Sequence, residues 1–218
     1  MKKKFFIPST ALRACFLLST FIFSCAPATP STPQVVDVYA TASASPWLDE
    51  LYACADDASV TLNLTSDSPQ ITLRLGQPDG WAGSVFQIGS DDILIVASLQ
   101  SPLPSLTLEQ ARTLFAGQGN PSAQVWAYAS AEDTQRVFEQ AVMNGRNVIS
   151  FARLAVSPSH MSEVLSADAN VVGILPRRWM TDRLRELFLA ATVPVLALTP
   201  SEPAGSVCDL IACMQKDD

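Results

Sequence analysis

Apolar and polar positions alternate in two different periods along the chain. Residues 35–40 (VVDVYA) are rich in β-branched side chains and predict a short strand. Ser45 and Pro46 then open a segment in which Trp47, Leu48, Leu51 and Tyr52 fall at i, i+1, i+4 and i+5. That spacing places them on one face of a helix over 47–55. Residues 60–65 (VTLNLT) and 70–75 return to a period of two, which is that of strands. Gly76, Pro78, Asp79 and Gly80 break the chain, and strands are predicted again at 84–88 and 93–97. The second of these, ILIVA, is unbroken apolar sequence of the kind found in the middle of a covered parallel sheet.

The second half continues the alternation. Ser101-Pro102-Leu103-Pro104-Ser105 is a stiff connection suited to a crossover between two lobes. Thr107 and Gln110 have the spacing of a capping box, and Leu108, Ala111, Leu114 and Phe115 form the buried stripe of the helix that follows. A strand at 124–128 leads to a helix over 131–144, which Ser130 caps and Gly145 ends. Ser157-Pro158 starts a helix running to about 166. A strand at 171–175, a helix over 177–190, a strand at 193–198 and a cysteine-bearing terminal helix complete the chain. Strand alternating with helix implies an α/β fold with mostly parallel sheets, and no internal repeat of 20 to 50 residues is visible.

Charge divides the chain unevenly. The 218 residues carry 14 Lys+Arg against 21 Asp+Glu, a net charge of −7. Lys2, Lys3, Lys4 and Arg13 all lie in the first 24 residues, which contain no acid. This basic start leads into ACFLLSTFIFSC, an apolar run shorter than the roughly 20 residues a membrane-spanning helix needs. Residues 1–24 therefore read as an export signal. The run ends Ile22-Phe23-Ser24-Cys25, which resembles the bacterial lipobox and implies that Cys25 becomes the lipidated first residue of the mature protein. Ordinary signal cleavage, with Cys25 a mere thiol near the cut, is the alternative. Without the four leader cations ten bases face 21 acids, so the exported body carries −11. Residues 25–34 are too rich in Pro and small polar side chains to pack, and read as a tether. The expected location is the extracytoplasmic face of the bacterial cell membrane.

The same counts narrow the chemistry. A body at −11 excludes nucleic acid as a partner, because phosphate binding needs clustered Lys and Arg. One histidine, His160, leaves no multi-histidine metal site and no assignable catalytic triad. Its helix position favours a capping or surface role. Gly117-Gln118-Gly119 lacks the third glycine of a dinucleotide loop and follows a helix instead of a strand. Asp56-Asp57 and Asp91-Asp92 read as solvated turns, and Arg177-Arg178 as the polar face of a helix start with Trp179 partly buried. No catalytic residue, cofactor or metal is assigned. In the body, Cys54, Cys208 and Cys213 permit one disulfide and one free thiol outside the cytoplasm. Either Cys208 or Cys213 reaches Cys54 if the last helix packs on the first.

From Ile93 onward a series of short motifs follows in a fixed order. An apolar crossover strand precedes a helix start at Ser105-Leu106-Thr107 that closes on Phe115 and Gly117. Then follow a strand at 125–128, Thr134 with Phe138, a helix near 161–165 and the return strand Val172-Gly173-Ile174-Leu175. The order and spacing of these pieces resemble those of the phosphate-type periplasmic solute-binding proteins, and the resemblance implies a type II periplasmic-binding-protein-like fold, with two α/β lobes joined by crossover hinge strands. Residues 35–98 and 176–218 would form the first lobe and 99–175 the second. It also implies a small-molecule or ion ligand held between the lobes, an ABC permease as partner, a monomer, and no enzymatic activity.

The same resemblance points to the ligand site. Thr41 and Ser43 after the first strand, and Ser130, Asp133 and Thr134 before and in a second-lobe helix, are the candidate contacts. Helix N-termini in such a cleft offer free N–H groups to an oxyanion without any cation. The pattern departs at the decisive place, because Glu132-Asp133-Thr134 stands where the family has Ser-Gly-Thr. Two carboxylates there oppose a dianion. They serve either as ordinary first-turn acids favouring the helix macrodipole or as selectors of a cationic or neutral solute. A non-transport lipoprotein that uses a degenerate binding fold for sensing or protein interaction is the alternative function.

Overall fold

The computed structural model describes residues 34–119 and 122–216. The export signal, Cys25 and the tether up to residue 33 lie outside the described residues. In chain order the elements are strand β1 (Gln34–Ala40), helix α1 (Leu48–Ala58), β2 (Val60–Leu64), β3 (Ile71–Leu75), β4 (Ser84–Ser98), α2 (Leu108–Phe115) and β5 (Gln124–Ala127). They continue with α3 (Asp133–Ala141), β6 (Arg153–Leu154), α4 (Pro158–Ala167), β7 (Val171–Pro176), β8 (Leu184–Thr199) and α5 (Ser206–Met214). Single 3-10 turns at Ser45–Trp47 and Arg177–Trp179 precede α1 and β8. No helix among the described residues is long and apolar enough to cross a membrane.

One eight-stranded sheet runs in the order β2-β1-β3-β8-β4-β7-β5-β6. Four of its seven pairings are parallel, those of β1 with β2 and β3 and of β5 with β6 and β7. The three in the middle, β3/β8, β8/β4 and β4/β7, are antiparallel. The apolar run 93–97 is therefore central and buried, as its sequence demands, but its partners on both sides run against it. It is also the end of one 15-residue strand, not a strand separate from 84–88.

Residues 177–190 correct the sequence reading most sharply. A helix is expected there; the chain instead makes one 3-10 turn and enters the 16-residue strand β8. The segment is rich in Arg, Leu, Glu and Ala, all good helix formers, and propensity alone misplaces it. Pairing with β4 from Leu184 to Thr199 overrides that preference. Smaller corrections concern faces. Tyr52 and Leu108 are exposed, and Cys54 and Ala55 take Tyr52's expected place on the buried side of α1. The capping box is present as read: Gln110 N–H donates to Thr107 Oγ1 and Thr107 N–H to Gln110 Oε1.

Two hydrophobic cores lie along the sheet. One gathers β1, β3, α1, α5 and the first part of β4 around Leu51, Ile71 and Leu73. The other gathers β5, β7, α2, α3 and α4 around Phe115, Phe138 and Leu165. The change from one to the other falls between Ile93 and Leu94. Here the β4/β8 register slips, Ile93 facing Ala191 and Leu94 facing Leu189, so Ala190 is an extra residue. Such a bulge bends the strands that carry it. Nearby, Gly89 is required by Trp47, whose ring would lie 2.2 Å from an added Cβ.

The C-terminal helix closes the first core. α5 packs on α1, and a disulfide joins Cys54 to Cys213, leaving Cys208 as an exposed free thiol. The linked residues are 159 apart in sequence, so the crosslink removes much of the entropy of the unfolded chain. Reduction, or the Cys54→Ala and Cys213→Ala pair, is expected to lower unfolding stability by about 2–5 kcal/mol. Denaturant unfolding with and without reductant checks this, and coincident curves would refute it.

Candidate functional site

The turn after β1 brings the first candidates into place. Thr41 N–H bonds to Leu73 O and Ala44 N–H to Thr41 O, which curls residues 41–44 over the end of β3 and leaves Ser43 with no exposed surface. From the other core, β5 ends and the loop 128–132 delivers the first turn of α3. Glu132 N–H bonds to Ala129 O, and Glu132 is the N-cap residue. Ser130, expected as the cap, is exposed two positions earlier and does not join the network.

The two sides meet directly. Thr41 Oγ1 donates to Asp133 Oδ2 at 2.9 Å, and the Ser43 and Thr134 hydroxyls are 2.6 Å apart. Ser43 Oγ also donates to Glu132 Oε1. Of the five candidates, Thr41, Ser43, Asp133 and Thr134 are thus brought together, with Ser130 outside.

Asp133 is the centre of the arrangement. Its side chain is 1% exposed, which is unusual for a carboxylate unless it is paired. Here Oδ2 accepts from Thr41 and, at 3.3 Å, from Leu75 N–H. Oδ1 accepts from the guanidinium of Arg74 and, at 3.3 Å, from that of Arg136. Asp133 therefore does more than serve a helix start. It fills a ready-made oxyanion site built from a hydroxyl, a backbone N–H and two guanidinium groups.

Arg74 and Arg136 escape a reading based on spacing. A signal for Arg74 exists, since it is the one cation between Arg13 and Arg112. It also sits at a polar position of an alternating strand, where burial of its neighbours forces it toward a partner. Arg136 is one turn after Asp133 on α3, an ordinary i,i+3 pair that says nothing by itself of a shared buried site.

The surroundings stiffen the site. Trp179 Nε1–H donates to Ser43 O at 3.3 Å, so the β7–β8 connection holds the turn after β1. Arg178 pairs with Glu50 and lies 3.7 Å over the Trp47 ring. Asp91 and Asp92 are not solvated turns, because both lie in β4. Burial pushes the Asp91 carboxyl above its ordinary value, while the Thr192 hydroxyl and then Arg177 hold that of Asp92 below it. Arg177-Arg178 thus tie strands and α1 together instead of forming a helix face. Tyr128 is 3% exposed, and its hydroxyl has no hydrogen-bond partner among the described residues. Burial, then the charge of Glu132, pushes that phenol well above its ordinary value, so it remains a neutral donor. His160 lies elsewhere, accepting from Val156 N–H and meeting Trp126 edge to face. Among the described residues no three His, Cys, Asp or Glu side chains are grouped to hold a metal.

No protein-family profile matches the sequence, and no curated protein sequence matches it. Solved structures do match its shape. A putative phosphate ABC transporter substrate-binding protein with bound phosphate from Clostridium perfringens is 14% identical, with a TM-score of 0.73, covering 83% of this chain and 93% of its own. An ABC-type phosphate transport receptor from Vibrio cholerae is 15% identical, with a TM-score of 0.61 and the same coverages. The reduced regulatory domain of OxyR2 from Vibrio vulnificus is 11% identical, with a TM-score of 0.62, covering 88% of this chain and 99% of its own. Identities this low speak to the fold alone, and the chain has the type II periplasmic-binding-protein-like fold that such receptors share with regulatory domains.

Proposed function

We propose that the protein is an extracytoplasmic solute-binding lipoprotein, the receptor of an ABC-type importer, tethered through a lipid on Cys25. Its two lobes, which we place on either side of the change of core at Ile93/Leu94 in β4 and Ala190 in β8 instead of at residues 98 and 176, close on a small ligand and present it to the permease. The observation that supports this is the meeting of Thr41 and Ser43 with Asp133 and Thr134, across the line where one hydrophobic core gives way to the other. β4 and β8 run through both cores and carry a bulge at that line, which suits a hinge. The phosphate receptors of like fold make ligand capture the natural use of such a cleft.

The ligand is constrained by charge. Glu132 and Asp133 contribute two negative charges, and Arg74 and Arg136 two positive ones. A neutral or singly charged solute meets a balanced site. A dianion meets two carboxylates, each opposing it by about 8 kcal/mol at 4 Å and an effective dielectric of 20, while the guanidinium groups of Arg74 and Arg136 are already taken by Asp133.

A second reading rests on Asp133 itself. Because its carboxylate takes the donors and the Ser43 and Thr134 hydroxyls touch, the closed cleft is satisfied by the protein's own groups. A module closed on itself would serve sensing or protein interaction. The OxyR2 domain is a regulatory use of the same fold.

Titration calorimetry with inorganic phosphate is expected to give no micromolar binding for the native chain; micromolar binding would refute the charge argument. Glu132→Ser combined with Asp133→Gly removes both acids and frees Arg74, and should strengthen phosphate binding at least tenfold. Thermal-shift screening against anions, amino acids, sugars and metal oxyanions separates the two readings. A stabilising solute that also compacts the molecule in small-angle scattering supports the receptor, and silence across the library supports the self-closed module. Asp133→Asn should cost about 2–4 kcal/mol of stability in denaturant unfolding, since it leaves the largely buried Arg74 without its charge partner.

A further inference from the structure

We infer that the end of the body carrying residues 146–156 is a docking face for an anionic lipid surface. Phe151, Leu154 and Val156 are 74%, 60% and 87% exposed, three large apolar side chains within six residues. They are held outward on fixed backbone. Ile149 N–H bonds to Phe115 O, Ala152 N–H to Ile149 O, Ala155 N–H to Ala127 O and Val156 N–H to His160 Nδ1. β6 lies at the open edge of the sheet, with β5 on its other side. Little conformational entropy is then lost when the three tips enter an interface.

Charge selects lipid as the occupant. The body carries −11, yet residues 110–131 and 140–162 contain no Asp or Glu, and these two segments abut where Ile149 meets Phe115 and Gly117. Arg146 and Arg153 are exposed, and neither has a carboxylate within ion-pair distance among the described residues. Arg153 instead stands over the Trp126 ring, 6.0 Å from its centre. Of the neighbouring acids, Glu109 faces Arg112 and Glu139 accepts from Gln135 and Val148 N–H. Guanidinium groups without a carboxylate partner among the described residues, Arg146 donating only to Met143 O through Nε, suit a phosphate-bearing interface beside exposed apolar tips. The acidic remainder of the body is repelled by the same surface, so one orientation is preferred. This face is distinct from the cleft, and the inference does not depend on the ligand reading.

The test uses the chain from residue 26 onward, free of leader and lipid; both cores and the disulfide lie within 34–216, so it retains what folds. At low ionic strength it should sediment with phosphatidylglycerol vesicles and not with phosphatidylcholine vesicles. Arg146→Ser should weaken that association about fivefold, and Phe151→Ser about tenfold. An unchanged melting temperature shows that both variants remain folded. No association with phosphatidylglycerol vesicles would overturn the inference. So would equal association of the native chain and Phe151→Ser, or a face that binds only protein.

Discussion

A carboxylate without access to water must be paired where it lies, and Asp133 is such a carboxylate. Its four donors come from the turn after β1, the end of β3 and the first turn of α3. No one of these segments can move far without stranding a charge. The network therefore does for the cleft what a bound anion does in a protein that has one, drawing both sides onto a common centre. Ser43 and Thr134 can then approach to hydrogen-bond distance.

Holding that centre requires a frame that spans both cores. β4 and β8 supply it as the longest strands of the sheet, paired over most of their length. Arg177, reaching Asp92 and Glu186, and Arg178, reaching Glu50, fasten the β7–β8 connection to that pair and to α1. The Cys54–Cys213 bond and α5 brace the first core from behind. The bulge at Ala190 is one of three places where the β4/β8 register slips, and the one that falls where the cores change.

Much of this was legible in the residues, and the losses have physical causes. Elements governed by local chemistry, such as the Thr107-Gln110 box and the Ser157-Pro158 helix start, can be read from a few neighbours. β8 cannot, because its strand state depends on β4 about a hundred residues away. Asp91 misleads for the same reason, since two adjacent acids look solvated until β4 is seen to carry them inward. In the site, hydroxyls and acids announce themselves through position beside strands and helix starts. Arg74 is distinguished only by its isolation as a cation, and its role emerges when β3 is placed beside the turn after β1.

The balance of charge between the two sides also constrains the opening that the proposed receptor reading requires. Separating the two sides breaks the Arg74–Asp133 pair while Arg136, on the same helix as Asp133, stays with it. Opening therefore leaves Arg74 as the exposed cation on one side, and Glu132 as the acid on the other without an arginine of its own. On the receptor reading proposed above, a solute entering an open form would meet a positive patch facing a negative one, the complement of a molecule that carries both a cationic and an anionic group. In that reading, closure around such a molecule would restore both pairings, whereas a dianion would restore one and oppose the other. In that reading the Arg74–Asp133 interaction that joins the two sides also sets, by its two halves, which solute can replace it.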